Sequence, residues 1–166
     1  MFIHKALNFP PAPLLLKAES DCTLVQHLFT KKWLVCTPEE WVRQHTLHFL
    51  STERGYPPGL IATEQRLRVG RLNLRFDILV ADRLGAPLLV CECKAYTLPL
   101  AEKVMLQAAN YNRALQAPYL AVTNGMDLKI FSLDKKMGTY IPISDIPTWQ
   151  AINTKAADIV PPNKLF

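Results

Sequence analysis

Three residues of this 166-residue chain, Asp77, Glu92 and Lys94, have the types and spacing to do chemistry together. In an extended strand residues two apart point the same way, so Glu92 and Lys94 project from one face while Cys91 and Cys93 project from the other. If the strand around residue 77 turns back through Asp82 to Ala86 onto the strand carrying Glu92, Asp77 lies beside Glu92 on that face. Two carboxylates held close repel each other unless a cation sits between them. A hard divalent cation such as Mg2+ takes oxygen ligands and keeps several waters. The Lys94 ammonium would then orient or activate one of those waters and offset charge developing on a phosphate. A Glu-x-Lys is ordinarily an ion pair at a strand end. Here it closes the run Leu88 to Ala95, which starts apolar on both faces, where a charged pair needs compensation and where open α/β sheets place their sites.

The elements that must position these groups follow from periodicity and turn residues. Thr37-Pro38-Glu39-Glu40 reads as a helix start, with Thr37 as cap, Pro38 in the first turn and Glu40 closing a capping box; the spacing predicts a helix from Pro38 to about Ser51. Gly55, Pro57, Pro58 and Gly59 break the chain. A strand is expected over Leu60 to Arg68, then another in which Leu72, Leu74, Phe76, Ile78 and Val80 mark one buried face. After the strand 88–95 come a helix from about Pro99 to Leu115 and strands at Tyr119 to Thr123, Leu128 to Leu133 and Thr139 to Ile143. That order argues an α/β sandwich around a central mixed sheet. Hairpin-linked strands are antiparallel, and the helix-linked pair 88–95 and 119–123 is parallel. Residues 1–36 read as an N-terminal extension with a hairpin between Leu14 to Lys17 and Trp33 to Cys36, residues 37–143 as the core, and residues 144–166 as a loosely packed tail.

Composition bounds the rest. A hydrophobic fraction of 49% with 20% charged residues is that of a folded chain and excludes disorder as the main state. Nineteen basic against fourteen acidic side chains, a net charge of +5, permit a polyanionic partner without demanding one. Four cysteines without CxxC or Cys/His spacing argue against a structural zinc and for reduced thiols in the cytoplasm. No apolar stretch has the length of a membrane span, so no membrane is expected as partner. The phosphate-cradling GxxxxGK[ST] is absent, and no Ser or Cys nucleophile constellation competes with the acidic pair.

Arg75-Phe76-Asp77-Ile78-Leu79-Val80 and Val90-Cys91-Glu92-Cys93-Lys94 resemble the signature of the PD-(D/E)xK nuclease superfamily, an acid near the end of one strand and (D/E)xK on the next. More narrowly, TPEEWVRQ, FDILV, ECKA, QAANY and PYLAVTNG resemble the N-terminal nuclease domain of type I restriction enzyme R subunits in a short stand-alone form. The resemblance spans roughly residues 30 to 135, and Phe76 stands where the superfamily's name has proline, a position that supplies no ligand. It implies a restriction-endonuclease-like three-layer sandwich, a central mixed β-sheet flanked by helices. It also implies a Mg2+-dependent endo- or exodeoxyribonuclease, with Mn2+ able to substitute. Asp77, Glu92 and the backbone carbonyl of Cys93 would be metal ligands and Lys94 the catalytic lysine.

Further candidates surround that set. Gln107 and Tyr111 share a stripe of the second predicted helix with Val104, Ala108 and Leu115, which suits a satisfied Gln beside a core Tyr; by the resemblance they form the QxxxY motif of the catalytic site. Glu40 has a structural role as a capping-box acid, while the superfamily often brings a first-helix carboxylate to the metal, a role for which Glu39 competes. Arg43 and Gln44 suit an exposed helix face, or would orient that acid or meet a phosphate. Arg66, Arg68, Arg71 and Arg75 cluster with no acid among them, as a solvated hairpin or as contacts to a nucleic-acid backbone. The partner expected is nucleic acid, foremost DNA, with RNA, a protein partner and a homo-oligomer left open. The competing function is a weakly active or non-catalytic nucleic-acid-binding or assembly module of the same fold.

Overall fold

Residues 5–69, 72–101 and 115–152 are described by the computed structural model. Helix α1, Pro38–His48, starts where the cap residues place it, with Thr37 extended at ψ 162° and its hydroxyl accepting the Glu40 N–H at 3.0 Å. A π turn over Phe49–Glu53 prolongs it beyond the predicted end, and Gly55, at φ +71°, turns the chain out.

The large sheet has six strands in sequence order, β4 Ile61–Val69, β5 Leu72–Ala81, β6 Pro87–Cys93, β7 Tyr119–Thr123, β8 Leu128–Asp134 and β9 Thr139–Ile143. Only the β6–β7 neighbours are parallel, as expected from the sequence. The crossover helix predicted over 99–115 lies mostly outside the described residues, so the described part is a mixed sheet carrying α1, and the second helical layer is not part of it. The β5–β6 turn is fixed by Asp82, whose carboxylate accepts the N–H groups of Leu84 and Ala86. Among the described residues no helix is long and apolar enough to cross a membrane.

Three expectations are corrected. The N-terminal extension is a three-stranded sheet, β1 Leu16–Ala18, β2 Thr23–Gln26 and β3 Trp33–Val35; the two segments predicted to pair with each other both pair with β2. Val25 of β2 is fully buried in a cluster with Cys36 and Trp41, which draws that strand into the middle. Second, the apolar row of β5 splits. Ile78 and Val80 pack with Val42, Leu47 and Leu50, on the α1 side, but Phe76 joins a separate cluster with Leu79, Val90, Leu120 and Val122. The break coincides with Glu64 on β4, which takes a left-handed φ of +51° opposite Asp77, between the pairs Thr63–Ile78 and Gln65–Phe76. Third, the start of the expected tail is packed. Ile146 is buried, Tyr56 Oη donates to the Pro147 carbonyl at 2.8 Å, and the Trp149 ring lies 5.8 Å from that of Tyr56. Residues 153–166 lie outside the description.

Thr123-Asn124-Gly125, a plain turn in sequence, ties several segments together. Thr123 accepts the Lys94 N–H, Asn124 donates to Leu98, and the Gly125 carbonyl accepts the Asn8 N–H at 2.7 Å. Gly125 has φ +79°, and a Cβ there would come within 2.9 Å of the Leu7 side chain. Gly125→Ala is therefore expected to destabilise the protein by about 1–3 kcal/mol, read as a lowered urea midpoint with unchanged slope.

Candidate functional site

The β5–β6 hairpin brings the two acids together. Its register pairs Ile78 with Cys91, which sets Asp77 across from Glu92 one step further along. There the backbone ladder gives way to a side chain: the Cys93 N–H donates to Asp77 Oδ2 at 2.8 Å, and Asp77 is buried. Lys94 Nζ donates to Glu92 Oε1 at 2.6 Å, with both side chains 24% exposed. Cys91 and Cys93 are fully buried on the opposite face, as alternation predicts.

Electrostatics divide the pair into roles. Burial first, and then the charge of Asp77, push the Glu92 carboxyl above its usual value, while the bond to Lys94 pulls it back. Burial alone would lower Lys94, but its bond to Glu92 and the charges of Glu92, Asp77 and Glu39 outweigh it and leave the amine raised. Lys94 is thus held as an ammonium, a donor and a positive charge.

Helix α1 completes the cluster, and among the readings of Arg43 and Gln44 the hydrogen bonds match the one in which they orient Glu40. The helix lies between the small sheet and the large one, so residues 40–47 are buried on all sides, and the exposed face expected for Arg43 and Gln44 does not exist. Arg43 is 5% exposed; its guanidinium donates to Glu40 Oε2 at 2.6 Å and to Asp77 Oδ1 at 3.3 Å. Gln44, fully buried, donates to Glu40 Oε1 at 2.7 Å and accepts the Leu28 N–H at 2.8 Å. The capping box is half made. The Thr37 N–H goes to the Val35 carbonyl, and both Glu40 oxygens serve Arg43 and Gln44. Glu39 is the first-helix acid whose charge acts on Glu92 and Lys94, whereas Glu40 holds Arg43.

Sequence reasoning missed Glu64. Its carboxylate lies 3.5 Å from Arg43 and 3.1 Å from Arg75, so it links the buried guanidinium to an exposed one. A Glu in a strand of alternating residues carries no mark of a left-handed backbone, so no signal in the sequence points to it. Arg66 and Arg75 are cross-strand partners in β4 and β5 and both are exposed. Arg68 pairs with Asn73 in the same register. Arg71, Gln107 and Tyr111 lie outside the described residues.

Among the described residues no group of three or more His, Cys, Asp and Glu side chains is arranged to hold a metal ion. A cation at Asp77 and Glu92 would rest on two carboxylates with backbone and water oxygens. That hard donor set fits Mg2+, which keeps much of its hydration shell.

The site is also anchored to the small sheet through His27. Its Nδ1 accepts the Phe29 and Thr30 N–H groups, so in this network Nε2 carries the proton and donates to Thr63 Oγ1 at 3.1 Å, next to Glu64. Burial first, then the charge of Arg43, lower the His27 pKa from 6.5; Lys31 acts in the same direction and Glu64 against it. A histidine depressed in the folded state binds fewer protons there than when unfolded, so its contribution is complete above about pH 6.5 and is lost as pH falls below that. The urea midpoint is therefore expected to drop between pH 7.5 and 5.5, and His27→Gln should flatten that drop; an unchanged pH slope in the variant would refute the assignment.

Comparison with known proteins gives one family. The family model described as type I restriction enzyme R protein N terminus matches residues 38–147. No curated protein matches the chain. Among solved structures, a fragment of a putative HsdR subunit of a type I restriction enzyme from Vibrio vulnificus YJ016 is 22% identical, with a TM-score of 0.46, over 70% of this chain and 25% of that one. The chain thus spans about a quarter of that structure's length.

Proposed function

This chain belongs to the family of type I restriction enzyme R protein N termini, and from that premise we propose that it is a Mg2+-dependent nuclease of the PD-(D/E)xK type that hydrolyses phosphodiester bonds in DNA. The observation that carries the reading is the convergence of Asp77, Glu92 and Lys94 at the end of the β5–β6 hairpin. Asp77 and Glu92 would hold the cation. The N–H and C=O of one strand residue leave on the same edge, so the Cys93 carbonyl, whose N–H meets Asp77, is on the side to join them. When bound, the cation would supply Lewis acidity and lower the pKa of a coordinated water.

The chain's own groups do the rest. Lys94, held beside its carboxylate neighbours as an ammonium, would donate hydrogen bonds and offset negative charge that builds on the phosphate. The Cys93 N–H fixes the orientation of the Asp77 carboxylate, which supports its reading as a positioned ligand. Arg66 and Arg75, exposed cross-strand partners on β4 and β5, would meet the phosphates of a nucleic-acid backbone. Gln107 and Tyr111, outside the described residues, are proposed as further members of the catalytic set on the strength of the QxxxY resemblance.

The test is incubation with supercoiled, linear and single-stranded DNA and with RNA, in Mg2+, Mn2+ or chelator. Metal-dependent cleavage of DNA is expected. Absence of both cleavage and metal binding would favour the module without activity.

A further inference from the structure

Arg43 is the cation of Asp77 in this structure, and its surroundings are those of a group that can move. Glu40, Asp77 and Glu92 face two cations, and Lys94 is bonded to Glu92, so the negative charge of Asp77 falls to Arg43. The two bonds of its guanidinium are unequal, 2.6 Å to Glu40 and a long 3.3 Å to Asp77. Its Nε is buried without a hydrogen-bond partner, so the network is incompletely satisfied; a network built for stability alone would be complete. Two further carboxylates, Glu39 Oε1 and Glu64 Oε1, each stand 3.5 Å from the guanidinium nitrogens, and Glu64 continues the chain of ion pairs out to Arg75. Glu64 reaches this place from a left-handed backbone at φ +51°, a strained conformation for a non-glycine residue that calls for a reason.

We propose that Arg43 is a positioning residue that acts as a resident counter-cation. It holds Asp77 in place while no divalent cation is bound, and it yields Asp77 to an arriving cation by shifting toward Glu64 and Glu39. The inference rests on the reading of Asp77 and Glu92 as cation ligands. Arg43 keeps Glu40 throughout, through the short bond within α1, while the guanidinium tips. Glu64 gives the displaced charge a partner, and its sharing with Arg75 links the exchange to whatever occupies the exposed arginines.

Calorimetric titration of the whole protein with Mn2+, beside thermal melts in chelator and in Mn2+, tests this without reading activity. Arg43→Met removes the competing charge and is expected to bind Mn2+ about tenfold more tightly than the parent, with a larger metal-induced rise in melting temperature. Glu64→Gln removes the alternative partner and is expected to bind Mn2+ several-fold more weakly. If Arg43→Met does not fold in chelator, rescue by Mn2+ supports the inference in its place, and Glu64→Gln reads it independently. Affinities within twofold of the parent in both Glu64→Gln and Arg43→Met, or in Glu64→Gln alone where Arg43→Met does not fold even with Mn2+, would overturn this inference and leave the cation site standing. Absence of Mn2+ binding by the parent and every variant would overturn both.

Discussion

Lys94→Met is expected to reduce metal-dependent DNA cleavage by about 10^2–10^3-fold, the range for removing one preorganised donor from a developing negative charge, while the melting temperature stays close to that of the parent. The two halves of that result have separate causes. Lys94 is raised in pKa by the carboxylates around it, so in the parent the charge is present throughout the neutral range. Its side chain and that of Glu92 are nevertheless each 24% exposed, so solvent reaches the carboxylate that the substitution leaves behind, and the ion pair contributes little to stability. Single-turnover cleavage of an end-labelled duplex with enzyme in excess measures the first half, and a melt measures the second. A rate within threefold of the parent would remove Lys94 from the mechanism.

Asp77→Ala combines two losses. It removes a proposed cation ligand, and it leaves the Cys93 N–H without its acceptor and the buried Arg43 without the longer of its two carboxylate hydrogen bonds. Breaking a buried charge pair from one side costs about 3–5 kcal/mol, because the remaining charge stays out of water. Asp77→Asn separates the losses. Its amide oxygen still accepts the Cys93 N–H, so part of the stability returns, but the negative charge does not. The expected order in a urea titration is parent, then Asn, then Ala, with cleavage lost in both variants. An active Asp77→Asn protein would show that the carboxylate is a structural partner of Arg43 and nothing more.

The readable part of the site is the part that two adjacent strands and a short turn determine. With Asp82 to Ala86 as the turn, alternation along LLVCECKA leaves little freedom in where Glu92 and Asp77 meet, and the structure places them so. The contribution of α1 is not readable in the same way. For Arg43 and Gln44 the sequence leaves a solvent-facing role and a role in orienting Glu40 equally open, because nothing in three-residue strands such as Leu16–Ala18 and Trp33–Val35 announces a second sheet over the helix. Once that sheet covers α1, every polar group on it must find an internal partner, and Glu40 is drawn from capping to clamping. Phe76 and Glu64 mislead for a related reason. Strict alternation assumes an unbroken strand pair, and one left-handed residue opposite Asp77 accompanies the repacking of its neighbour.

The buried thiol between the two charged site residues makes the protein its own reporter of breathing. Cys93 Sγ lies 3.9 Å from Thr46 Oγ1 beneath the site, and hydrogen bonding with Cys91 together with burial pushes its thiol well above the ordinary range. An alkylating reagent therefore meets neither access nor thiolate while β6 is docked on α1. The rate at which Cys93 becomes labelled then counts how often the strand bearing Glu92 and Lys94 lifts away from its helix.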